Sequence, residues 1–358
     1  MKILDRYLLF KFLKAFVFSM FIINLIILVI DYTEKNQKFN RAGLSWAEIA
    51  GYYIDYMPWV SNLAVPLITF IACVFITSRL ATHTEIVAML SSGISFRRLL
   101  VPYVVGALAI GGFNFWLNGW VIPNSNKDRV AFEVKYLEKP YNFNERNYHL
   151  RLSPNSYFYL ENYTIRSQIG YKVSLETIED HELKSKLTGA RIEWNPEKEL
   201  WTLKNWQQRT FLPNGEEKFT AGLELDTLLS ITPKDFENDY RRFETLTINQ
   251  LIDYMGMLRE RGSEGIEDYQ VELHIRFAAP FAILILTIIG VLVSARKARG
   301  GTGAMIAVGF GLAFVFTLFF ILTRSLATSG DLPIMLAAWL PNLTFGVLAF
   351  FMYRKLPR

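Results

Sequence analysis

Cysteine is almost absent from this chain of 358 residues. Cys73 stands alone inside an apolar run, so no intrachain disulfide can form and no cysteine pair can hold a metal. Histidine is nearly as scarce, and His83, His149, His181 and His274 fall in no H-E-x-x-H or other metal-ligand spacing. A phosphate-binding loop is missing: Arg299-Gly300-Gly301-Thr302-Gly303 lacks the required lysine and follows no strand. No G-x-S-x-G elbow is present either. Outside the flanks of the apolar runs there is no basic stretch with interleaved stacking aromatics, which excludes a nucleic-acid surface. The long apolar runs themselves are nearly free of charge, whereas an intramembrane enzyme carries paired ionisable groups there. These absences favour transport or scaffolding over catalysis, with no cofactor and no metal expected.

What is present is hydrophobicity in bilayer-length blocks. Composition is 51% hydrophobic and 15% aromatic, and the 20% that is charged is concentrated between the blocks. The uncharged runs are Ala15 to Ile30, Tyr56 to Ser78, Leu99 to about Pro123, Phe277 to Ala295, about Thr302 to Thr323, and Leu332 to Tyr353. A bilayer core takes roughly 20 apolar residues per helix, so these read as six spans. Three precede and three follow a polar region with no membrane-length segment.

Orientation follows from Lys and Arg in the short flanks. One side carries Lys2, Arg6, Lys11, Lys14, Arg79, Arg97, Arg98, Arg296, Lys297, Arg299, Arg354, Lys355 and Arg358; the opposite short loops carry only Lys35, Lys38, Arg41 and Arg324. Both termini are therefore expected in the cytoplasm, with the large insert across the membrane. The start does not read as a cleaved signal peptide, since no small-residue cleavage site follows the apolar stretch. Ile3, Leu4, Tyr7, Leu8 and Phe12 instead recur at helical spacing among charges. That pattern suits an interfacial helix entering the first span, and equally a longer, tilted first span.

From about Arg129 to Asp239 the period changes to alternation. Tyr148, Leu150 and Leu152 alternate with His149 and Arg151, and Val173 and Leu175 with Ser174 and Glu176. Turn signals fall at Pro154-Asn155, Asn195-Pro196 and Pro213-Asn214-Gly215. Such strands indicate a β-sandwich, jelly roll or related sheet. Its aromatic residues, including Tyr159, Trp201 and Phe211, either fill a core or line an apolar groove for lipid chains. Thr247 to Arg261 returns to helical spacing, with Ile248, Leu251, Ile252, Met255 and Leu258 on one face and Gly262 as a stop. The charged stretch from Glu264 to Glu272 then leads into the fourth span.

The loop from Arg79 to Arg98 is the unusual short segment. Thr82 or Thr84 is placed to cap a short helix, Ile86, Met89 and Leu90 share a face, and Gly93 ends it. A helix with an exposed carboxylate, Glu85, and an apolar face suits docking on a soluble partner; the plain alternative is an interfacial turn.

The segment Thr84 to Ser95, TEIVAMLSSGIS, resembles the corresponding loop of the LptF/LptG permeases of the lipopolysaccharide exporter, as does Pro102 at the opening of the next span. The opening ILDRYLLFKFLKAF, the segment Thr247 to Tyr254, Arg276-Phe-Ala-Ala-Pro280 and the basic loop from Arg296 to Gly301 are similar too, in the same order. The resemblance implies an α-helical membrane protein with six transmembrane helices in a 3+3 plan and an inserted periplasmic all-β domain of the β-jellyroll type. The expected divisions are 1–126, with a coupling helix at about 81–95; 127–245, the β-jellyroll; and 246–358, a connector helix and the last three spans.

It further implies the permease subunit of an ABC transporter that extracts lipopolysaccharide from the inner membrane and passes it to a periplasmic bridge. The implied partners are an LptB-type ATPase dimer, a second LptF/LptG-type permease and an LptC/LptA-like bridge. Glu85, Ile86, Met89, Leu90 and Gly93 would form the coupling helix, and the first and fifth spans would line a lateral gate. Lys35, Lys38 and Arg41, with Arg324 more weakly, would meet lipid phosphates as point charges. Asp31, four residues before Lys35, offers a local pairing instead. Tyr159, Trp201 and Phe211 would line the lipid groove. Two rivals stand beside this reading: another ABC-type permease, which often has a 1+3 plan, and a non-transport scaffold or sensor with a ligand-binding insert.

Overall fold

The computed structural model describes residues 3–137, 147–164, 167–179, 182–212, 216–229, 231–233, 241–261, 266–295 and 301–355. The expected turn at Pro213-Asn214-Gly215, the stop at Gly262, Glu264, His181 and the flanking cations Lys2, Arg296, Lys297, Arg299 and Arg358 lie outside the described residues. The chain divides into a helical unit (Met1–Leu137, Glu244–Ile248, Glu267–Arg358) and a second unit (Glu138–Phe243, Asn249–Ile266).

Helix α1 runs unbroken from Ile3 to Arg41, so the entry segment and the first span are one rod. Its 39 residues extend roughly 58 Å at 1.5 Å each, about twice a bilayer core. Gly43, at φ 65, follows its end. Ser45 opens α2 (Trp46–Thr82) with a reciprocal capping box to Glu48. Short α3 (Glu85–Ser91) leads to α4 (Phe96–Trp116), whose buried Asp5 partner on α1 holds Arg98 at 2.6 Å.

The sequence places the end of the third span near Pro123 and alternation from Arg129. The helix instead continues through a π turn (Leu117–Val121), α5 (Ile122–Phe132) and a second π turn (Glu133–Leu137). Pro123 lacks an N–H and its ring would crowd the carbonyl four residues back; the π turn directly before it widens the ladder there. Beyond Pro123, Arg129 and Glu133 pair at i,i+4. The remaining helices are α6 (Arg242–Thr245), α7 (Ile248–Arg261), α8 (Ile266–Ser294), α9 (Gly301–Thr328) and α10 (Ile334–Arg354). On α7 the expected apolar face is buried at Ile248, Leu251, Met255 and Leu258, whereas Ile252 is half exposed.

Among the described residues six helices are long and apolar enough to cross a membrane, and the strands lie between the third and fourth in the chain. One core joins Leu8 and Phe12 of α1 to Leu80, Leu99, Tyr103 and Ile283; another joins Phe70, Ile289, Phe316 and Phe345. The apolar stretch of α1 is the exception, with 0% of its residues buried against 56% for α8. Phe18, Phe21, Leu25 and Val29 all stay uncovered, so that face needs lipid or another subunit against it.

In the second unit, β1 (Tyr148–Ser153), β2 (Ser156–Thr164), β3 (Ile169–Glu179), β4 (Glu182–Asn195), β5 (Leu200–Phe211) and β6 (Glu217–Thr227) form one antiparallel sheet in sequential order. These pairings define a meander; by themselves they do not define a jelly roll. Leu150, Phe158, Val173, Ile192, Trp201 and Leu203 gather on one face, joined by Leu229 and Ile231 beyond β6.

A crease crosses the sheet. Glu161, Lys172, Ala190, Asn205 and Leu223 fall opposite one another, and the pairing skips each of them. Lys172 and Asn205 there take φ 51. The buried phase slips at this line, from Phe158 and Leu160 to Tyr163 on β2, and from Gly189 to Ile192 on β4. Close approach on the apolar face demands glycine beside the crease. A Cβ on Gly170 would lie 2.7 Å from Ile192, and one on Gly222 2.9 Å from Trp206 Nε1.

Candidate functional site

The segment between α2 and α4 is built by two left-handed residues. Thr84 takes φ 61, and its hydroxyl donates to the His83 carbonyl at 2.6 Å without capping a helix N–H. Gly93, at φ 85, ends the segment, and Ser95 caps α4 through the Arg98 amide. Ile86 is 1% exposed among Leu8, Leu80 and Leu99, and Met89 packs on the same cluster. The shared face read from the sequence therefore points partly into the bundle. Val87 and Leu90 form the apolar surface left outside, because the side of the helix that carries Ile86 and Met89 is taken up by the chain's own core. Glu85 is partly buried. Its Oε2 accepts from the Tyr7 hydroxyl at 2.9 Å, and its Oε1 lies 3.6 Å from Lys11 Nζ.

At the opposite end of α1, Lys35 has many partners. Its Nζ is 2.7 Å from Asp31 Oδ1, donates to the Tyr52 hydroxyl at 2.7 Å, and lies 4.5 Å from the centre of the Tyr56 ring. Tyr52 in turn donates to Glu133 at 2.9 Å, and Tyr53 to Asp31 at 3.0 Å. Arg129 is 1% exposed, pairs with Glu133 and with Glu244, and lies 4.1 Å over the Trp59 ring. The local Asp31–Lys35 pairing is thus formed. A phosphate reaching Lys35 would compete with Asp31 for it. Lys38 donates to the Leu137 carbonyl at 2.9 Å, and Arg41 is exposed. Arg324 lies 3.5 Å from Glu272, which also holds the buried Arg276 at 2.9 Å. The sequence reading missed Tyr52, Tyr53, Arg129, Glu133 and Glu244. The i,i+4 pairing of Arg129 with Glu133 was a signal for two of them, hidden because that stretch reads as strand.

The strand candidates are not on one face. Trp201 lies in the apolar face, 1% exposed, with Nε1 donating to the Ile231 carbonyl at 2.7 Å and the Trp194 ring 5.1 Å away. Tyr159 alternates with buried Phe158 and Leu160, so it faces the other way, and its hydroxyl donates to Asn147 at 2.8 Å. It borders an open concavity of about 620 Å³ whose lining includes His149, Lys172, Glu176 and Lys186. Phe211 pairs with Glu217 at the end of β5. At this sheet's rim, Asp226 is held below the ordinary carboxylate value by Lys198 and Thr202, and Lys198 is raised by Asp226.

Bilayer-length helices with an antiparallel sheet inserted between them define a multi-pass membrane protein. The family model described as lipopolysaccharide export system permease LptF/LptG matches residues 6–355, nearly the whole chain, and the chain belongs to that family. It is accordingly a transport subunit of the bacterial inner membrane, a permease of lipopolysaccharide export within the ABC transporter of that system. No curated protein matches it in sequence.

Proposed function

We propose that the chain is the transmembrane subunit that draws lipopolysaccharide out of the inner membrane and hands it to a periplasmic bridge. In this reading it pairs with a second LptF/LptG-type permease, takes its energy from an LptB-type ATPase dimer, and delivers to an LptC/LptA-like bridge. The match to one family over residues 6–355 carries the reading. The uncovered apolar face of α1 supports it, because a lateral gate shared with a second subunit needs such a face. The excess of Lys and Arg on one set of flanks supports cytoplasmic termini and a periplasmic insert. The divisions 1–126, 127–245 and 246–358 then separate the entry spans, a periplasmic β-jellyroll and the exit spans.

Within that frame, the segment from Glu85 to Gly93 is the coupling helix. Leu90, with Val87, offers the apolar surface to the ATPase, while Ile86 and Met89 anchor the helix to the bundle. Lys35, Lys38, Arg41 and Arg324 are the proposed phosphate contacts at the exit, with Lys35 released from Asp31 when lipid arrives. Among the strand candidates, Trp201 is the one that shares the apolar face suited to acyl chains; Tyr159 and Phe211 border that path from outside it.

The test is lipid-stimulated ATP turnover of the purified complex. Glu85→Lys should lower it at least about tenfold, the loss of an interface contact worth about 1.4 kcal/mol or more, with membrane insertion unchanged. Tyr7→Phe removes the intrachain donor to Glu85 and should leave turnover within about threefold. Unchanged turnover in Glu85→Lys would sink the coupling role. Equal losses in both variants would make Glu85 an internal anchor.

A further inference from the structure

A cleft of about 370 Å³ opens on the helical unit between α4, α8 and α10, away from the sites described above. Its walls are apolar: Leu100 and Val104, Ile285 and Ile288, and Gly346, Ala349 and Phe350. At one end stand Arg97 and Tyr353, with Arg97 Nε donating to the Tyr353 hydroxyl at 2.7 Å. Arg354, outside the lining, stacks on the wall residue Phe350, its guanidinium 4.9 Å from the ring centre. We infer that this cleft binds one acyl chain of an anionic phospholipid, whose phosphate rests on Arg97.

Three observations select that occupant. The cleft is polar only at its mouth, and the one charged side chain in its lining, Arg97, is cationic. Among the described residues no carboxylate pairs with Arg97, unlike Arg98, Arg129, Arg276 and Arg324, each of which has at least one. A guanidinium whose Nη groups face no acid is suited to bind phosphate in a fork, and basic sites between helices at the membrane surface take anionic headgroups.

Depth and width agree. From Arg97 to Val104 the cleft follows α4 for seven residues, roughly 10 Å, which matches an extended chain reaching inward from a headgroup. One turn of a helix occupies about 400 Å³ as a cylinder of 10 Å diameter and 5.4 Å pitch, so a further helix does not fit inside the cleft. Gly346 supplies the width: a Cβ there would stand 3.7 Å from Ile285, whereas a larger side chain would extend into the space. The bound lipid would seal α4 to α8 and α10 on a face that the gate does not use.

Native mass spectrometry of the full-length chain tests this, in micelles holding equal amounts of phosphatidylglycerol and phosphatidylcholine. Wild type should retain phosphatidylglycerol at least about fivefold over phosphatidylcholine, the bias given by one arginine at a charged surface. Arg97→Gln should reduce that preference to near unity. Gly346→Leu should remove retention of both lipids; because it perturbs helix packing, it counts only if it elutes as a single folded species, and Arg97→Gln decides alone otherwise. Equal retention of the two lipids by wild type, or an undiminished preference in Arg97→Gln, would overturn the inference. Displacement of phosphatidylglycerol by an equal amount of added lipopolysaccharide, in wild type but not in Arg97→Gln, would overturn the assigned occupant.

Discussion

Arg129 carries a full charge at 1% exposure, with Glu133 and Glu244 on its guanidinium and Trp59 beneath it. Removing one partner of a buried pair leaves the others uncompensated, so Arg129→Ala should cost about 3–5 kcal/mol. Arg209→Ala, which breaks the exposed pair with Glu217, should cost about 0–1 kcal/mol. Thermal unfolding of the detergent-solubilised chain would separate them, and equal midpoints would show that the Arg129 network adds no stability. Lys35 poses a functional question at the same scale. Asp31→Asn frees its ammonium and should raise bound lipopolysaccharide per complex about two- to fivefold, whereas Lys35→Met should lower it comparably. A decrease in both variants would instead make the pair a structural tie between α1 and α2.

At the scale of elements, the apolar runs located the six bilayer-length helices found among the described residues, because bilayer length and exclusion of charge leave a signal that needs no tertiary information. The segment from Arg129 to Leu137 is helix although Val130, Phe132, Val134 and Tyr136 alternate as in a strand; contacts with Tyr52 and Glu244 and the packing of Phe132, Tyr136 and Leu137 on α2 support the helix. The short helix at Glu85 was legible as an element but not in its facing, since burial of Ile86 depends on Leu8 and Leu99, far off in the chain. The strands were legible from alternation; the crease was not, because a phase slip at Lys172 or Asn205 looks like a lapse in the pattern. It makes a prediction of its own. Asn tolerates φ 51 whereas a β-branched residue does not, so Asn205→Val should destabilise the second unit by about 1–3 kcal/mol, with Asn205→Gly near neutral. Hydrogen exchange of the strand amides in increasing urea reads the difference. Equal stability of the two variants would remove any role for the left-handed backbone there.

For the whole molecule, the order of parts carried most of the functional information: long apolar helices, strands, then long apolar helices, without nucleotide-binding or hydrolytic motifs. That order fits the family match to an export permease, and in the proposed reading the work is supplied by an ATPase outside the chain. In the proposed reading the uncovered α1 and the outward Val87 and Leu90 meet partners of two kinds, one at membrane depth and one in water. The specific site contacts were less legible, since Lys35 and Glu85 each turned out to hold intrachain partners across helices. The measurement that bears most directly on the central claim is purification of the tagged chain in mild detergent, with quantification of its bound proteins and lipids. The account predicts an ATPase, a second permease of the same family and lipopolysaccharide in near-stoichiometric amounts. Recovery of the chain without an ATPase and without lipopolysaccharide would contradict it.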